Sequence, residues 1–174
     1  MSRINQIQIR YTPIEDRILL RLNTEDASEF RFWITRSYAI ILADSLLELL
    51  RSSEEIQQQQ ENVQKAMISF QHEDALSKAD FAKTFQAKPK NLPLGDVPVL
   101  LSRFAVKQTP DGNPMLCMYP EQGQGIDLAL QQQLLHSISK LFSDALAESE
   151  WGVNFTLSDN NHVQKETEKP LFLN

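Results

Sequence analysis

The sequence has only one cysteine, Cys117, among its 174 residues. A single cysteine cannot form a disulfide within the chain, and disulfides are typical of secreted proteins, so the composition predicts a cytoplasmic protein. The opening residues, MSRINQIQIR, contain no apolar run that resembles a signal peptide. Every hydrophobic run is far shorter than the roughly 18 residues that a membrane-spanning helix needs. We therefore expect no membrane partner.

An excess of positive charge is also lacking, because the formal net charge is -6. The field of the whole molecule then repels phosphate, which argues against a general binder of polyanions but leaves room for a local basic face. The hydrophobic content of 41% is ordinary for a globular protein. A chain of this length buries enough surface to fold as one structural domain without a metal or a disulfide.

Glycine and proline are scarce in the first half, and neither occurs in residues 14–88. They return in residues 87–98, which hold three prolines and one glycine and are typical of a linker. The last residues, 158–174, begin with the polar composition of a flexible tail.

Three stretches of the first half have the alternating pattern of strands, at residues 4–11, 17–23 and 29–35. In the third stretch, Phe30, Phe32 and Ile34 are the core positions. Thr35 is then a good N-cap, and helical spacing follows from Arg36. The predicted apolar positions of this helix are Tyr38, Ile41, Leu42, Leu46, Leu49 and Leu50.

The second half repeats this plan, with strands predicted at 99–108, 114–119 and 125–130, a helix at 132–150 and a short closing strand at 151–157. Phe30, Phe32 and Ile34 align with Ile126, Leu128 and Leu130, and residues 18–20 align with 115–117. Helix positions 38, 42, 46 and 50 align with 134, 138, 142 and 146. This agreement favours an internal duplication, and convergence on a common strand-strand-helix pattern is the alternative.

The predicted fold class is α+β, with two pseudo-repeated β-β-β-α halves, each an antiparallel meander covered by a helix. The first half spans residues 1–51 and the second 99–157. A long polar helical arm at 52–86 and the linker at 87–98 separate them, and the tail at 158–174 follows. Ser52 and Ser53 before two glutamates are typical of a break, so one helix or two are both compatible with residues 36–86.

The helical arm carries a thin apolar stripe with the seven-residue spacing of a coiled coil. Its members are Ile56, Val63, Met67 and Phe70. Such a stripe packs either on the arm's own domain or on a second copy of the chain.

Because side chains alternate across a sheet, the outward face of the first meander collects arginines around an indole ring. We call this surface the Arg/Trp face, and its residues are Arg10, Arg17, Arg21, Arg31 and Trp33. Leu19 is expected on the same exposed face. Arginine and aromatic side chains on a sheet are suited to single-stranded nucleic acid. The alternative is a solvated or self-covered face, in which carboxylates of the adjoining turns pair with the arginines. These carboxylates are Glu15, Asp16, Glu25, Asp26 and Glu29.

Residues with catalytic or metal-binding chemistry are few and scattered. His72, His136 and His162 fall in unrelated settings, and none has a metal-ligating partner at a diagnostic spacing. Cys117 lies between Leu116 and Met118 in a predicted strand, which is typical of a buried structural thiol. We therefore predict no catalytic residue, no metal and no cofactor.

Residues 15–24, EDRILLRLNT, and residues 29–36, EFRFWITR, resemble the N-terminal signature of a family of small uncharacterised proteobacterial proteins. The resemblance covers about a quarter of the chain and implies no activity. The leading functional hypothesis is a non-enzymatic interaction or assembly module whose partner is a second copy of itself or another protein. The alternative is a binder of single-stranded nucleic acid that uses the Arg/Trp face.

Overall fold

The computed structural model describes residues 3–52, 58–77, 85–86 and 89–155. Within these residues the fold is α+β, with seven strands in two sheets and three helices, which confirms the α+β part of the predicted fold class. The predicted C-terminal tail at 158–174 lies outside the described residues. No helix of the described part is both long and apolar enough to cross a membrane.

The first sheet has the order β1-β2-β3-β4. Its first three strands, β1 (Ile4–Thr12), β2 (Arg17–Thr24) and β3 (Glu29–Ile34), form an antiparallel meander. The turn between β1 and β2 places Asp16 at a φ of 46°, a conformation that aspartate tolerates better than most residues. The alternating pattern is confirmed on the inner face, where Ile18, Leu20, Leu22, Phe32 and Ile34 are all buried.

The first helix, α1 (Arg36–Arg51), begins directly after β3. Thr35 is its N-cap, and its hydroxyl accepts a hydrogen bond from the Tyr38 backbone N–H at 3.3 Å. Its buried face is Tyr38, Ala39, Leu42, Ala43, Leu46 and Leu50. Ile41, predicted to be a core position, is instead 53% exposed, because it lies outside this stripe.

The second sheet has the order β5-β6-β7 and is also antiparallel. Its strands are β5 (Arg103–Gln108), β6 (Pro114–Tyr119) and β7 (Ile126–Ala129). Leu116 and Met118 join the core from β6. The predicted alignment pairs Leu20, which points into the core, with Cys117, which does not belong to the central core. The alignment of residues 18–20 with 115–117 is therefore shifted by one residue.

Two further helices complete the described fold, α2 (Glu61–Ser77) and α3 (Gln132–Ser149). α2 lies in the predicted helical arm and packs on α3 and α1. α3 packs along β1, so the helix of the second half contacts the first sheet directly. Buried residues of both sheets and all three helices form one hydrophobic core.

The region around the predicted linker differs from expectation. Residues 99–108, predicted as one strand, divide into two, because β4 (Val99–Leu100) pairs in parallel with β3 and β5 joins the other sheet. Within 87–98, the backbone N–H of Lys90 donates to the Ala27 carbonyl at 2.9 Å. The prediction of a closing strand at 151–157 is also wrong for its described part, because residues 151–155 form no strand. They contribute Trp151 and Phe155 to the core.

Candidate interaction surfaces

The outward face of the first sheet is organised in cross-strand rows. One row joins Arg10, Leu19, Trp33 and Leu100 in register, and the next joins Gln8, Arg21 and Arg31. Arg17 is opposite Thr12 at the end of the hairpin. The meander therefore brings all five residues of the Arg/Trp face to one side of the sheet, as alternation requires.

A buried carboxylate pairs with two of these arginines. Glu29 is the first residue of β3, and its side chain has no solvent exposure. Its Oε1 accepts hydrogen bonds from Arg21 Nε at 2.9 Å, Arg21 Nη2 at 2.7 Å and Arg31 Nε at 2.7 Å. Charge-assisted bonds of this length are among the strongest in proteins.

The pKa of Glu29 reflects two opposing effects. Burial alone raises the pKa, because it disfavours the charged form. The hydrogen bonds and positive charges of Arg31 and Arg21 outweigh burial, so the pKa lies below its ordinary value. Glu29 therefore stays ionised inside the protein, as the self-covered alternative predicted.

The two paired arginines are further covered by residues from distant parts of the sequence. Phe85 stacks on the Arg21 guanidinium, with 4.4 Å between the carbon and the ring centroid. Arg31 Nη1 donates to the Asp96 carbonyl at 3.2 Å. The exposed fractions of the Arg21 and Arg31 side chains are only 16% and 25%.

The rest of the Arg/Trp face is more accessible. Arg10 is exposed, while Arg17 and Trp33 are half-buried. Leu19, expected to be exposed, is buried, because Arg10 and Trp33 flank it in register. The predicted face therefore consists of an internally paired half and an open half.

A groove of about 730 Å³ lies where the edge strands β1 and β7 approach the first half of α3. No pattern in the sequence indicates this groove, because elements more than 100 residues apart form it. Apolar side chains and amides line it, including Ile4, Ile7, Ile9, Asp127, Ala129 and Leu134.

The structure also joins two histidines that the sequence analysis assigned to unrelated settings. His72 on α2 and His136 on α3 have their Nδ1 atoms 3.3 Å apart, with ring centroids 5.4 Å apart. The prediction was wrong because α2 packs on α3, a contact that helical spacing within either segment does not reveal.

Burial lowers the pKa of both rings. Burial and then the charge of His72 lower the pKa of His136 to about 4. Burial and the nearby Lys140 lower the pKa of His72, while Glu73 and Asp144 oppose that change. The pair is therefore neutral near pH 7, and one Nδ1 donates to the other.

Cys117 is buried as predicted. Burial raises the pKa of its thiol, as do a hydrogen bond and the negative charge of Asp127. Tyr119 donates its hydroxyl to Asp127 at 2.6 Å on the same face of the second sheet. A thiol with a raised pKa is a poor nucleophile, in keeping with a packing role.

The residues of the predicted apolar stripe on the helical arm differ in their burial. Ile56 lies outside the described residues, Met67 is half-buried against the core, and Val63 and Phe70 are 39% and 72% exposed. The opposite side of α2 buries Ile68 and Ala75.

Among the described residues, no group of three or more histidine, cysteine or acidic side chains has the arrangement of a metal site. Comparison of the chain with protein-family models, with curated proteins and with solved structures gave no match.

Proposed function

We propose that the protein is a non-enzymatic, cytoplasmic interaction module that assembles with a second copy of itself through α2. The observation that carries this proposal is the exposure of Phe70, at 72% of its surface, on the side of α2 that faces away from the core. A phenylalanine held in water forgoes about 1.5–3 kcal/mol of burial free energy, and unlike the isolated Ile14 it shares its helix face with a second exposed apolar side chain, Val63.

The neighbours of Phe70 extend the apolar surface along the helix. Val63 is one heptad earlier, and Ala66 between them is exposed and small enough to let a second helix approach. Ile68 and Ala75 hold the other side of α2 on the core. α2 thus presents an apolar stripe from a fixed position, which reduces the entropy lost on association.

The small size of this stripe sets the expected strength. A stable interface buries at least about 1,000 Å². Three side chains per copy contribute less, so we expect a dimer with a dissociation constant in the micromolar range or weaker.

Sedimentation velocity over a wide range of protein concentration tests the proposal. The wild-type protein is expected to sediment faster as its concentration rises, and Phe70→Gln and Val63→Gln to remain monomeric. Ile14→Gln is the matched control, because Ile14 is 96% exposed in the β1–β2 turn and away from α2. A wild-type protein that is monomeric throughout, or equal self-association of Phe70→Gln, contradicts the proposal.

We also infer that residues 1–51 and 99–157 are the two copies of an internal duplication, with the helical arm as an insertion after the first. Two features support this inference: a three-stranded meander precedes both α1 and α3, and aligned helix positions such as Leu42 and Ile138 are buried. The phase difference between β2 and β6 counts against a strict repeat.

Binding of single-stranded nucleic acid is the second candidate function. Arg10, Arg17 and Trp33 favour it, because they form the open half of the Arg/Trp face. Arg21 and Arg31 support it less, because both are mostly buried and already paired with Glu29, whose charge offsets one of their two positive charges.

Fluorescence anisotropy of a labelled oligo-dT tests this second function. Binding that weakens steeply with salt, and weakens again in Arg10→Ala and Trp33→Ala but not in Lys107→Ala on the second sheet, would support it. Equal anisotropy with and without protein at low salt would rule it out.

A further inference from the structure

We propose that the groove between β1 and β7 binds an extended, uncharged polypeptide segment as an added strand. The proposal goes beyond self-assembly, because the groove uses none of the α2 residues that carry that proposal. It rests on the direction of backbone groups, the mostly uncharged lining and the volume of the groove.

The first observation is that some backbone groups of β1 point away from β2, at the open edge of the first sheet. The Thr24 N–H donates to the Ser28 carbonyl at 3.0 Å, which fixes the even-numbered residues of β2 as the partners of β3. The odd-numbered residues of β2 therefore bond to the even-numbered residues of β1. It follows that the N–H and C=O groups of Ile7 and Ile9 point away from the sheet, and both residues line the groove.

The same reasoning applies to β7. The Leu130 N–H donates to the Pro114 carbonyl at 2.7 Å, and this assigns the backbones of Leu128 and Ile126 to β6. The N–H and C=O groups of Asp127 and Ala129 then point outward, and both residues line the groove.

Two sheet edges thus face a common space, and no strand pairing joins them in the described part of the chain. A free edge is a template for a further strand, because each unpaired backbone group gains a partner. An extended peptide in the groove can add to the free edge of β1 or of β7, at the usual strand spacing of about 4.8 Å.

The side chains of the groove define the chemistry of the occupant. Ile4, Ile7 and Leu134 provide apolar surface that is only partly buried. Of the lining residues that the structure describes, only Arg3 and Asp127 are charged, and the Asp127 carboxylate already accepts the Tyr119 hydroxyl. A charged peptide finds little compensation for lost hydration there, so alternating apolar and neutral polar side chains fit best.

The test uses an end-blocked hexapeptide of alternating valine and threonine, added to the full-length ¹⁵N-labelled protein in nuclear magnetic resonance titrations. Saturable shifts are expected for the amides of Ile7, Ile9, Asp127 and Ala129, together with slower hydrogen exchange at these positions. The same peptide with alternate backbone nitrogens methylated is the ligand control, because it keeps the side chains but loses half of its donors.

Two proline variants at strand edges provide the matched protein control. Ala129→Pro removes an N–H that points into the groove, and the expected loss of affinity is roughly tenfold. Val106→Pro removes an outward N–H from the opposite edge of the same sheet, because the Thr109–Asn113 bond assigns the odd residues of β5 to β6. It is expected to bind like the wild-type protein, and both variants must keep a dispersed amide spectrum.

Several results would overturn the proposal. These are the absence of saturable shifts up to the solubility of the peptide, equal binding of the methylated peptide, and equal loss in both proline variants. Protection of the Ile7 and Ala129 amides that grows with protein concentration alone would assign the groove to a second copy. A groove that binds the peptide in a monomeric Phe70→Gln protein would separate this site from self-assembly.

Discussion

Glu29 illustrates, at the scale of single residues, how a charged side chain is held inside this protein. Its Oε1 accepts three charge-assisted hydrogen bonds from two arginines, and its side chain is fully buried. Glu29 is one of five carboxylates that the sequence places near the arginines. Sequence alone does not select it over the other four, because that choice depends on the register of β2 and β3.

Glu29→Gln is expected to lower the free energy of unfolding by about 1.5–3 kcal/mol, the range for hydrogen bonds to charged groups. The amide keeps the shape but removes the negative charge that Arg21 and Arg31 share. Urea unfolding at pH 7 measures the loss, and Glu25→Gln, at an exposed loop position, is the control with no expected change.

The pH dependence of the unfolding free energy gives a second test of Glu29→Gln. Because the pKa of folded Glu29 is below the ordinary value of 4.5, its stabilisation is complete above that pH and is lost as the pH falls through the folded pKa. The difference between wild type and Glu29→Gln should therefore shrink below pH 4.5. A difference that stays constant down to pH 3 would contradict the ion-pair account.

His136 differs from Glu29, because its side chain is buried in the neutral form and not in the charged form. Its pKa is about 4 in the folded protein against an ordinary 6.5. Between these values the unfolded chain binds a proton that the folded protein does not. The free energy of unfolding should then fall by up to about 1.4 kcal/mol per pH unit as the pH drops from 6.5 towards 4.

His136→Gln should flatten this slope, as measured by urea unfolding at several pH values. The groups that face the pair, Lys140, Asp144 and Glu73, remain in the variant. A His136 proton resonance that titrates near pH 6.5 in the wild-type protein would refute the assignment.

At the scale of secondary-structure elements, the sequence predicts best where periodicity and caps coincide. β1, β2, β3 and α1 lie close to their predicted residues, because alternation gives way to helical spacing at Thr35. β4 was missed, because a strand of two residues has no pattern of its own. Its pairing with β3 is set by the parallel contact of Val99 with Phe32, far away in sequence.

The cap of α1 gives a prediction at this scale. Thr35→Ala should lower the free energy of unfolding by about 1 kcal/mol, the usual cost of losing a side-chain N-cap. Thr35→Ser keeps the hydroxyl that accepts from the Tyr38 N–H and should retain most of the stability. Equal urea midpoints for the two variants would show that the cap contributes little.

At the scale of the whole molecule, the decisive contacts join residues remote in sequence. Trp151 Nε1 donates to Asp16 at 2.8 Å, and its ring contacts Tyr11 edge to face at 5.6 Å. The groove and the histidine pair arise from the same long-range packing. Patterns within single segments predicted the elements and the Arg/Trp face, but these sites depend on how the elements pack together.

α2 has two different sides in the whole molecule. One side packs on α3, and the other remains exposed and is the side proposed for self-assembly. Ile68 and Ala75 are buried, whereas Val63 and Phe70 are exposed. Self-assembly through the exposed side is the central claim, and a distance-dependent signal between copies reports on it directly.

The most direct measurement is intermolecular paramagnetic broadening in an equimolar mixture of two preparations. One is the ¹⁵N-labelled wild-type protein. The other is unlabelled and carries a nitroxide at Ser77→Cys, an exposed position two turns after Phe70, with Cys117→Ala to remove the native thiol. We predict that broadening centres on the amides of Val63, Ala66 and Phe70 and disappears when both preparations carry Phe70→Gln. Broadening centred on another element, or none at concentrations where the protein self-associates, would contradict assembly through α2.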